Sequence, residues 1–289
     1  MTINYQIQEF LDNDSETYSY VVFDKQTNKA VVIDPVLDFD YKSGRTTEIG
    51  AQKIADYINE NHLTLEWVLE THAHADHISG APFFKEKFGA KIGIGEHIQA
   101  VQKTFKDLFN LEKEFLPNGQ QFDRLFKDGD TLDIGQLKLR VMHTPGHTPA
   151  DLAYLIDESV IFVGDTIFMP DVGTARCDFP GGSAPQLFDS VQKVLSLPDE
   201  TVIQVCHDYP TAGRGYRHAV TVKEQKQNNI HVNSDISKAQ FIQMRETRDS
   251  TLAMPRLILP SIQLNIRAGK QPPAEDNGVT YLKIPLNQL

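Results

Sequence analysis

The 289-residue sequence is poor in cysteine, with only Cys177 and Cys206, and it has no long apolar run. Two cysteines are too few for the disulfide framework that stabilises small secreted proteins. A helix that crosses a bilayer needs about 20 consecutive apolar residues, and no segment approaches that length. Residues 1–10 also lack the basic and apolar regions of a secretory signal. We therefore expect a cytoplasmic protein without a membrane partner.

Basic residues are also scarce relative to acidic ones. The 28 lysines and arginines are outnumbered by 39 aspartates and glutamates, which gives a formal charge of −11. Nucleic-acid binding depends on lysine and arginine side chains that neutralise phosphates, so this balance argues against a nucleic-acid partner. The 40% hydrophobic and 23% charged residues are typical of a folded globular protein.

The most informative segment is 71–77, Thr-His-Ala-His-Ala-Asp-His, which follows the apolar run 65–69. A strand that ends in this pattern directs alternate side chains toward one point before the chain turns. Three further segments place a ligand type after a β-like run: His147 in HTPGHT, Asp165 in VGDT and His207 in QVCHD. Four such segments together indicate one metal site.

The residue types at this site narrow the choice of metal. Imidazole and carboxylate groups, with no cysteine in the motif, favour zinc, iron or manganese. Four other histidines show no such pattern, and we interpret them as structural residues: His62, His97, His218 and His231. The two cysteines are interpreted as small buried apolar residues.

Hydrophobic periodicity predicts mixed strands and helices along the whole chain. The predicted strands are 18–23, 30–33, 65–70, 91–94, 131–134, 137–143, 152–156, 160–163, 201–205 and a β-like tail at 281–289. The predicted helices are 48–61, 79–88, 96–110, 184–195, 222–228 and 236–250, the last with Ser234 or Asp235 as its N-cap. Strands in each half with helices between them predict an α+β fold, a four-layer αβ/βα sandwich with the ligands at one edge. We expect one domain over 1–289, with a core at 1–215 and a C-terminal extension of helices and a strand at 216–289.

The series of motifs resembles the metallo-β-lactamase superfamily over essentially all of the chain up to about residue 210. The motifs of this series are HxHxDH, a histidine in a PGHT loop, an aspartate in GDT and a late histidine. This resemblance implies the four-layer fold. It does not define the reaction, because the superfamily includes hydrolases, nucleases and oxygen-handling enzymes.

A second series of segments is similar to the persulfide dioxygenases, the family of the ethylmalonic encephalopathy protein, and to their stand-alone bacterial members. These segments are DVGTARCDF at 171–179, HDY at 207–209, TVKEQKQNN at 221–229 and IRAG at 266–269. The resemblance implies that glutathione persulfide and dioxygen react to give sulfite and glutathione. It also implies one ferrous iron per chain, bound by three catalytic residues: His72, His147 and Asp165.

The resemblance assigns further residues to the site. His74, Asp76, His77 and His207 would orient the ligands or hold a second metal. Arg176 and Tyr209, and Arg267 from the C-terminal segment, would line the glutathione pocket. The family also leads us to expect a homodimer.

Two other functions stay open, because all seven positions of a two-metal site are present. In a dinuclear zinc hydrolase of glutathione thioesters, similar to glyoxalase II, His72, His74 and His147 would hold one zinc. Asp76, His77 and His207 would hold the other, with Asp165 between them. A non-catalytic metal- or persulfide-binding protein is the third alternative.

Overall fold

Two six-stranded sheets and a small third sheet form the framework of the protein in the computed structural model, which describes residues 4–211 and 213–288. In chain order the strands are β1 (Tyr5–Asp12), β2 (Thr17–Asp24), β3 (Lys29–Ile33), β4 (Val36–Asp40), β5 (Arg45–Thr47), β6 (Thr64–Leu69), β7 (Ile78–Ser79), β8 (Lys91–Gly95), β9 (Arg124–Phe126), β10 (Thr131–Ile134), β11 (Leu137–His143), β12 (Leu152–Ile156), β13 (Val160–Phe162), β14 (Val202–Gln204) and β15 (Ala219–Thr221). The helices are α1 (Ile49–Glu60), α2 (Ala81–Phe88), α3 (Ile98–Leu108), α4 (Ala184–Leu195), α5 (Val222–Asn228), α6 (Lys238–Asp249) and α7 (Ile258–Asn265).

The first sheet has the order β1-β2-β3-β6-β8-β9, and the second runs in sequence order from β10 to β15. Strands β1 to β3 are antiparallel, whereas β3, β6, β8 and β9 run parallel to one another. The helices α1, α2 and α3 make the crossovers between these parallel strands. Strands β13 and β14 form the parallel pair of the second sheet. The parallel strands β6, β13 and β14 each lead into a motif segment.

Three apolar clusters show the order of the layers. One cluster joins side chains of both sheets, among them Tyr20 and Tyr154, so the two sheets pack face to face. A second joins the first sheet to α1, α2, α3 and α7. A third joins the second sheet to α4, α5 and α6. The predicted four-layer αβ/βα sandwich is therefore confirmed.

Five predicted elements have the predicted bounds: the helices 184–195 and 222–228 and the strands 131–134, 137–143 and 152–156. The others, apart from the tail at 281–289, are present with shifted ends. The N-cap of α6 is Ser237 rather than Ser234 or Asp235, and it forms a capping box with Gln240. Residues 38–47, for which no strand or helix was predicted, form most of the hairpin β4–β5. Strand β4 also pairs with β7 in the small third sheet.

The predicted β-like tail was wrong over residues 281–288, which have no strand partner; Leu289 lies outside the described residues. Gln263 hydrogen-bonds both backbone groups of Lys283, so a side chain takes the place of a neighbouring strand. Strand β15 pairs with β14, and the second sheet therefore continues past residue 215, where we expected the core to end. Within 4–211 and 213–288, no helix combines the length and apolarity needed to cross a bilayer.

Candidate metal centre and its cavity

The HxHxDH segment begins directly after β6 and is anchored by Asp34, at the end of β3. The Thr71 backbone N–H donates to Asp34 Oδ1 at 2.7 Å, and the Thr71 hydroxyl donates to Asp34 Oδ2 at 2.8 Å. His74 Nε2 lies 3.0 Å from Asp34 Oδ1. Asp34 is buried, and its carboxylate links two positions of the motif, Thr71 and His74. From the sequence Asp34 is only the residue after the predicted strand 30–33, because its partners lie 37 and 40 residues away.

Two glycines allow the motif segments to approach closely. Gly164 has a φ of +50°, and a Cβ there would lie 2.6 Å from Thr71 Oγ1. Gly146 has a φ of +146°, and a Cβ there would lie 2.3 Å from the Cα of Leu187. Both distances are shorter than van der Waals contact. A larger residue at 164 would push the Asp165 segment away from the HxHxDH segment, and one at 146 would push the His147 loop away from α4.

The structure brings His72, His147 and Asp165 together. His72 follows β6, His147 lies between β11 and β12, and Asp165 follows β13. The distance from Asp165 Oδ2 is 3.9 Å to His72 Nε2 and 3.6 Å to His147 Nε2. One ligand atom of each residue lies within 4.8 Å of the others, so the three can share a metal ion.

Hydrogen bonds orient both imidazoles of this group. His147 Nδ1 lies 2.8 Å from the carbonyl oxygen of Arg176, to which it donates. His72 Nδ1 lies 3.1 Å from the hydroxyl oxygen of Thr71, whose own proton goes to Asp34. Because each Nδ1 carries the proton, each Nε2 has a free lone pair, as a metal ligand requires.

The structure places the other four predicted residues in the adjoining group. His74, Asp76 and His77 lie together, and the His74 ring is 4.0 Å from the His72 ring and 4.2 Å from the His77 ring. His207 Nε2 lies 3.4 Å from Asp76 Oδ2 and 3.3 Å from Asp165 Oδ1. Asp165 therefore stands between the two groups.

Several buried atoms in these groups have no hydrogen-bond partner among the described residues. They are His72 Nε2, His74 Nδ1, His77 Nε2, Asp165 Oδ1 and His207 Nε2. A buried lone pair without a partner is costly, and a cation is the partner that five converging acceptors favour. Imidazole nitrogen and carboxylate oxygen are ligands for zinc and iron. The residues therefore fit a metal centre.

The charges around the centre also suit a cation. Burial, together with His74 and His147, holds the pKa of His72 well below its usual value, so this ring stays neutral and able to bind. Burial alone would raise the pKa of Asp76, but His207 and His77 hold it well below its usual value. At neutral pH the His72 imidazole is therefore neutral and the Asp76 carboxylate is ionised, which are the forms that bind a metal.

A cavity of about 450 Å³ opens beside the centre and reaches both His147 and Asp165. Tyr209, which the resemblance assigns to the substrate pocket, forms part of its wall. Its ring stacks on His207 with centroids 5.7 Å apart and meets the Phe168 ring edge-on. We call this space the main cavity.

Four arginines also line the main cavity, and three of them have acidic partners. Arg176 pairs with Asp178, Arg245 pairs with Asp249 in a buried contact, and Arg256 pairs with Asp14. Arg248 is exposed. Of these four guanidinium groups, only that of Arg248 has no carboxylate within ion-pair distance among the described residues. No motif in the sequence indicates that α6 brings Arg245 and Arg248 to this cavity.

Arg267 was predicted at the substrate pocket, but the structure places it elsewhere. Its guanidinium makes two hydrogen bonds to Glu112, at 2.6 and 2.8 Å, and lies over the ring of Phe115. Arg267 does not line the main cavity. Both cysteines are buried as expected, and burial raises the pKa of the Cys177 and Cys206 thiols.

Comparison with known proteins agrees with this geometry. The family model described as "Metallo-beta-lactamase superfamily" matches residues 13–207. Glyoxylase B2 of Dictyostelium discoideum is 51% identical over 98% of each chain. A probable metallo-hydrolase of Burkholderia pseudomallei is 48% identical over 98% of this chain and 99% of its own.

More distant similarity extends to persulfide dioxygenases. Mitochondrial persulfide dioxygenase ETHE1 of Bos taurus is 28% identical over 92% of this chain and 90% of its own. The crystal structure of ETHE1 from Myxococcus xanthus superimposes with a TM-score of 0.72 and 30% identity, covering 92% of this chain and 100% of that one. The fold, the motif segments and these matches lead to one conclusion: the chain belongs to the metallo-beta-lactamase superfamily.

Proposed function

We propose that the protein oxidises glutathione persulfide with dioxygen and water to sulfite and glutathione, at one ferrous iron held by His72, His147 and Asp165. In this reaction the persulfide loses four electrons, and dioxygen accepts them. Two oxygen atoms of sulfite come from dioxygen and the third comes from water. Bound iron would supply the electron transfer between the two reactants.

The observation that carries the proposal is the group of His72, His147 and Asp165, in which hydrogen bonds orient both rings. Two histidines and one carboxylate are the ligand set of many non-haem iron oxygenases. The similarity to proteins named persulfide dioxygenase supports the same reaction. Under this proposal the Arg176 carbonyl keeps His147 Nε2 free of a proton, and the His72 ring is held by Thr71.

The neighbouring group would position Asp165 rather than bind a second metal. Asp76 accepts from the Thr17 hydroxyl at 3.2 Å and lies 3.1 Å from His77 Nδ1. His207 Nδ1 donates to the Glu16 carbonyl at 3.2 Å, and its other nitrogen faces Asp165. A ring fixed in this way can donate to Asp165 when protonated, and Asp165 and Asp76 raise the pKa of His207 against the effect of burial.

The main cavity provides a site for the glutathione part of the substrate. Its volume of about 450 Å³ lies in the usual range for small-molecule sites. Arg248, which has no carboxylate partner among the described residues of that cavity, would pair with a glutathione carboxylate. Tyr209 and Arg176 would form the walls near the sulfur. Arg267 has no part in this proposal, because it lies outside the cavity.

A dinuclear zinc hydrolase of glutathione thioesters is the second candidate. The orphaned nitrogens of His74, His77 and His207 favour it, because a second metal would satisfy them. The relatives named Glyoxylase B2 and metallo-hydrolase, at 51% and 48% identity, point the same way.

Metal analysis and oxygen uptake on protein purified without oxygen separate these functions. We expect one iron per chain and oxygen consumption that depends on glutathione persulfide. Two zinc ions per chain, no oxygen uptake and cleavage of a glutathione thioester would establish the hydrolase instead. Persulfide binding without turnover of either substrate would indicate a non-catalytic binding protein.

A further inference from the structure

A second, smaller cavity borders the metal centre at His147. It has a volume of about 210 Å³ and touches His147. Its wall is formed largely by Phe179, Pro180, Met254 and Ile258. The ring of Phe179 lies 5.8 Å from the ring of His147. We call this space the side cavity.

Arg176 lines both the side cavity and the main cavity, as do Ala75, His147 and Pro255. The guanidinium is held by Asp178 on one side and by the carbonyl oxygen of Ala253 on the other, at 2.6 Å. These three hydrogen bonds hold the Arg176 side chain in place between the walls of the two cavities. Both cavities nevertheless meet at His147.

The two cavities differ in chemistry. The main cavity is lined by four arginines and several carboxylates, which suit a charged thiol compound. Apart from His147, the charged or titratable groups among the described residues of the side cavity are Arg176 and Asp178, which neutralise each other. A small apolar space of this kind holds ions poorly, whereas small apolar molecules enter it readily.

We propose that the side cavity is the route by which dioxygen reaches the metal centre, while the sulfur substrate occupies the main cavity. The inference rests on the proposed oxygenase function. Dioxygen is small and apolar, so it gains nothing from the charged walls of the main cavity. Separate routes also let dioxygen arrive when the main cavity is filled by the larger substrate.

Two nearby residues offer a matched test. Met254 lines only the side cavity and Leu252 lines only the main cavity. Their exposures are similar, at 48% and 39%, so a tryptophan at either position is tolerated by the fold. M254W narrows the side cavity, and L252W narrows the main cavity. M254L keeps the volume of residue 254 and serves as the control.

Steady-state oxygen uptake by the metal-loaded enzyme distinguishes the routes. We expect M254W to raise the KM for dioxygen at least threefold and to leave the KM for glutathione persulfide unchanged. L252W should do the reverse, and M254L should behave as wild type. A raised persulfide KM in M254W would show that the side cavity holds part of the sulfur substrate, and an unchanged dioxygen KM would reject the route.

Crystals pressurised with xenon give a readout that does not depend on turnover. We expect xenon between Phe179 and Ile258 in the wild-type protein and less in M254W. Xenon in the main cavity alone would overturn the inference. If the wild-type protein takes up no oxygen with persulfide, the proposed function fails and the dioxygen route fails with it; oxygen uptake with unaltered kinetics in M254W rejects the route only.

Discussion

The carboxylate of Asp249 accepts a hydrogen bond from the backbone N–H of Cys177 at 2.7 Å, across 72 residues of sequence. Arg245, one turn earlier on α6, pairs with Asp249 and donates to the carbonyl oxygen of Thr174 at 3.1 Å. The loop between these two contacts contains Arg176, whose carbonyl orients His147. Helix α6 therefore holds the backbone that orients a candidate metal ligand.

We predict that Asp249→Ala destabilises the protein by about 3–5 kcal/mol, because it leaves the buried Arg245 charge without a partner. It should also weaken metal binding, since the loop that positions His147 loses its anchor. Urea unfolding and metal titration measure the two effects. Asp189→Ala is the control. Asp189 lies in α4 and pairs with Lys238 of α6, and this exposed ion pair contributes at most about 1 kcal/mol to stability. Equal stability of the two variants would contradict the role assigned to Asp249.

The mononuclear proposal predicts different metal contents for two histidine variants. His147→Ala should lose the iron, because it removes one of three ligands. His207→Ala should retain one iron per chain, with lower activity, because His207 contacts Asp165 without binding the metal. Elemental analysis of both purified proteins gives the answer. A fall from two metals to one in His207→Ala would establish a dinuclear centre.

Arg248→Ala should raise the KM for glutathione persulfide about tenfold with little change in kcat. Loss of one partly exposed ion pair with a substrate carboxylate costs roughly 1.4 kcal/mol, which corresponds to that factor. Arg217→Ala is the control, since Arg217 pairs with Glu224 and does not line the main cavity. If the KM for glutathione persulfide is the same in both variants, Arg248 does not bind the substrate.

We predict that the free energy of unfolding of the metal-free protein depends on pH through Asp151. Burial raises its pKa to about 7 from an ordinary value of 3.8. The folded state then binds a proton more tightly than the unfolded state, so the contribution of Asp151 falls as the pH rises from about 4 to about 7 and is constant above that. The loss is roughly 4 kcal/mol at most.

Unfolding of the wild type and of Asp151→Asn across this pH range checks the prediction. The difference between the two proteins isolates Asp151 from the nearby histidines. We expect the variant to gain stability relative to the wild type as the pH rises toward 7. A difference that does not change with pH would show that Asp151 is ionised throughout the range.

The sequence by itself determined the fold class and the residue types of the candidate metal centre. Burial in α1 follows the helical spacing of Ala51, Ile54, Ala55 and Ile58, and periodicity of this kind is a local property that the sequence displays directly. The motif spacing likewise identified all seven residues that the structure brings together, because ligand types at strand ends converge in any sandwich with one open edge.

Only the tertiary structure decided which partner each remaining side chain has. Arg267 pairs with Glu112 instead of facing the cavity, and the tail 281–288 meets the Gln263 side chain instead of a strand. Asp34 and Asp249 hold the site through contacts 37 and 72 residues away in sequence. Periodicity shows which face of an element is buried, whereas the partner of a buried charge depends on which elements the fold places side by side.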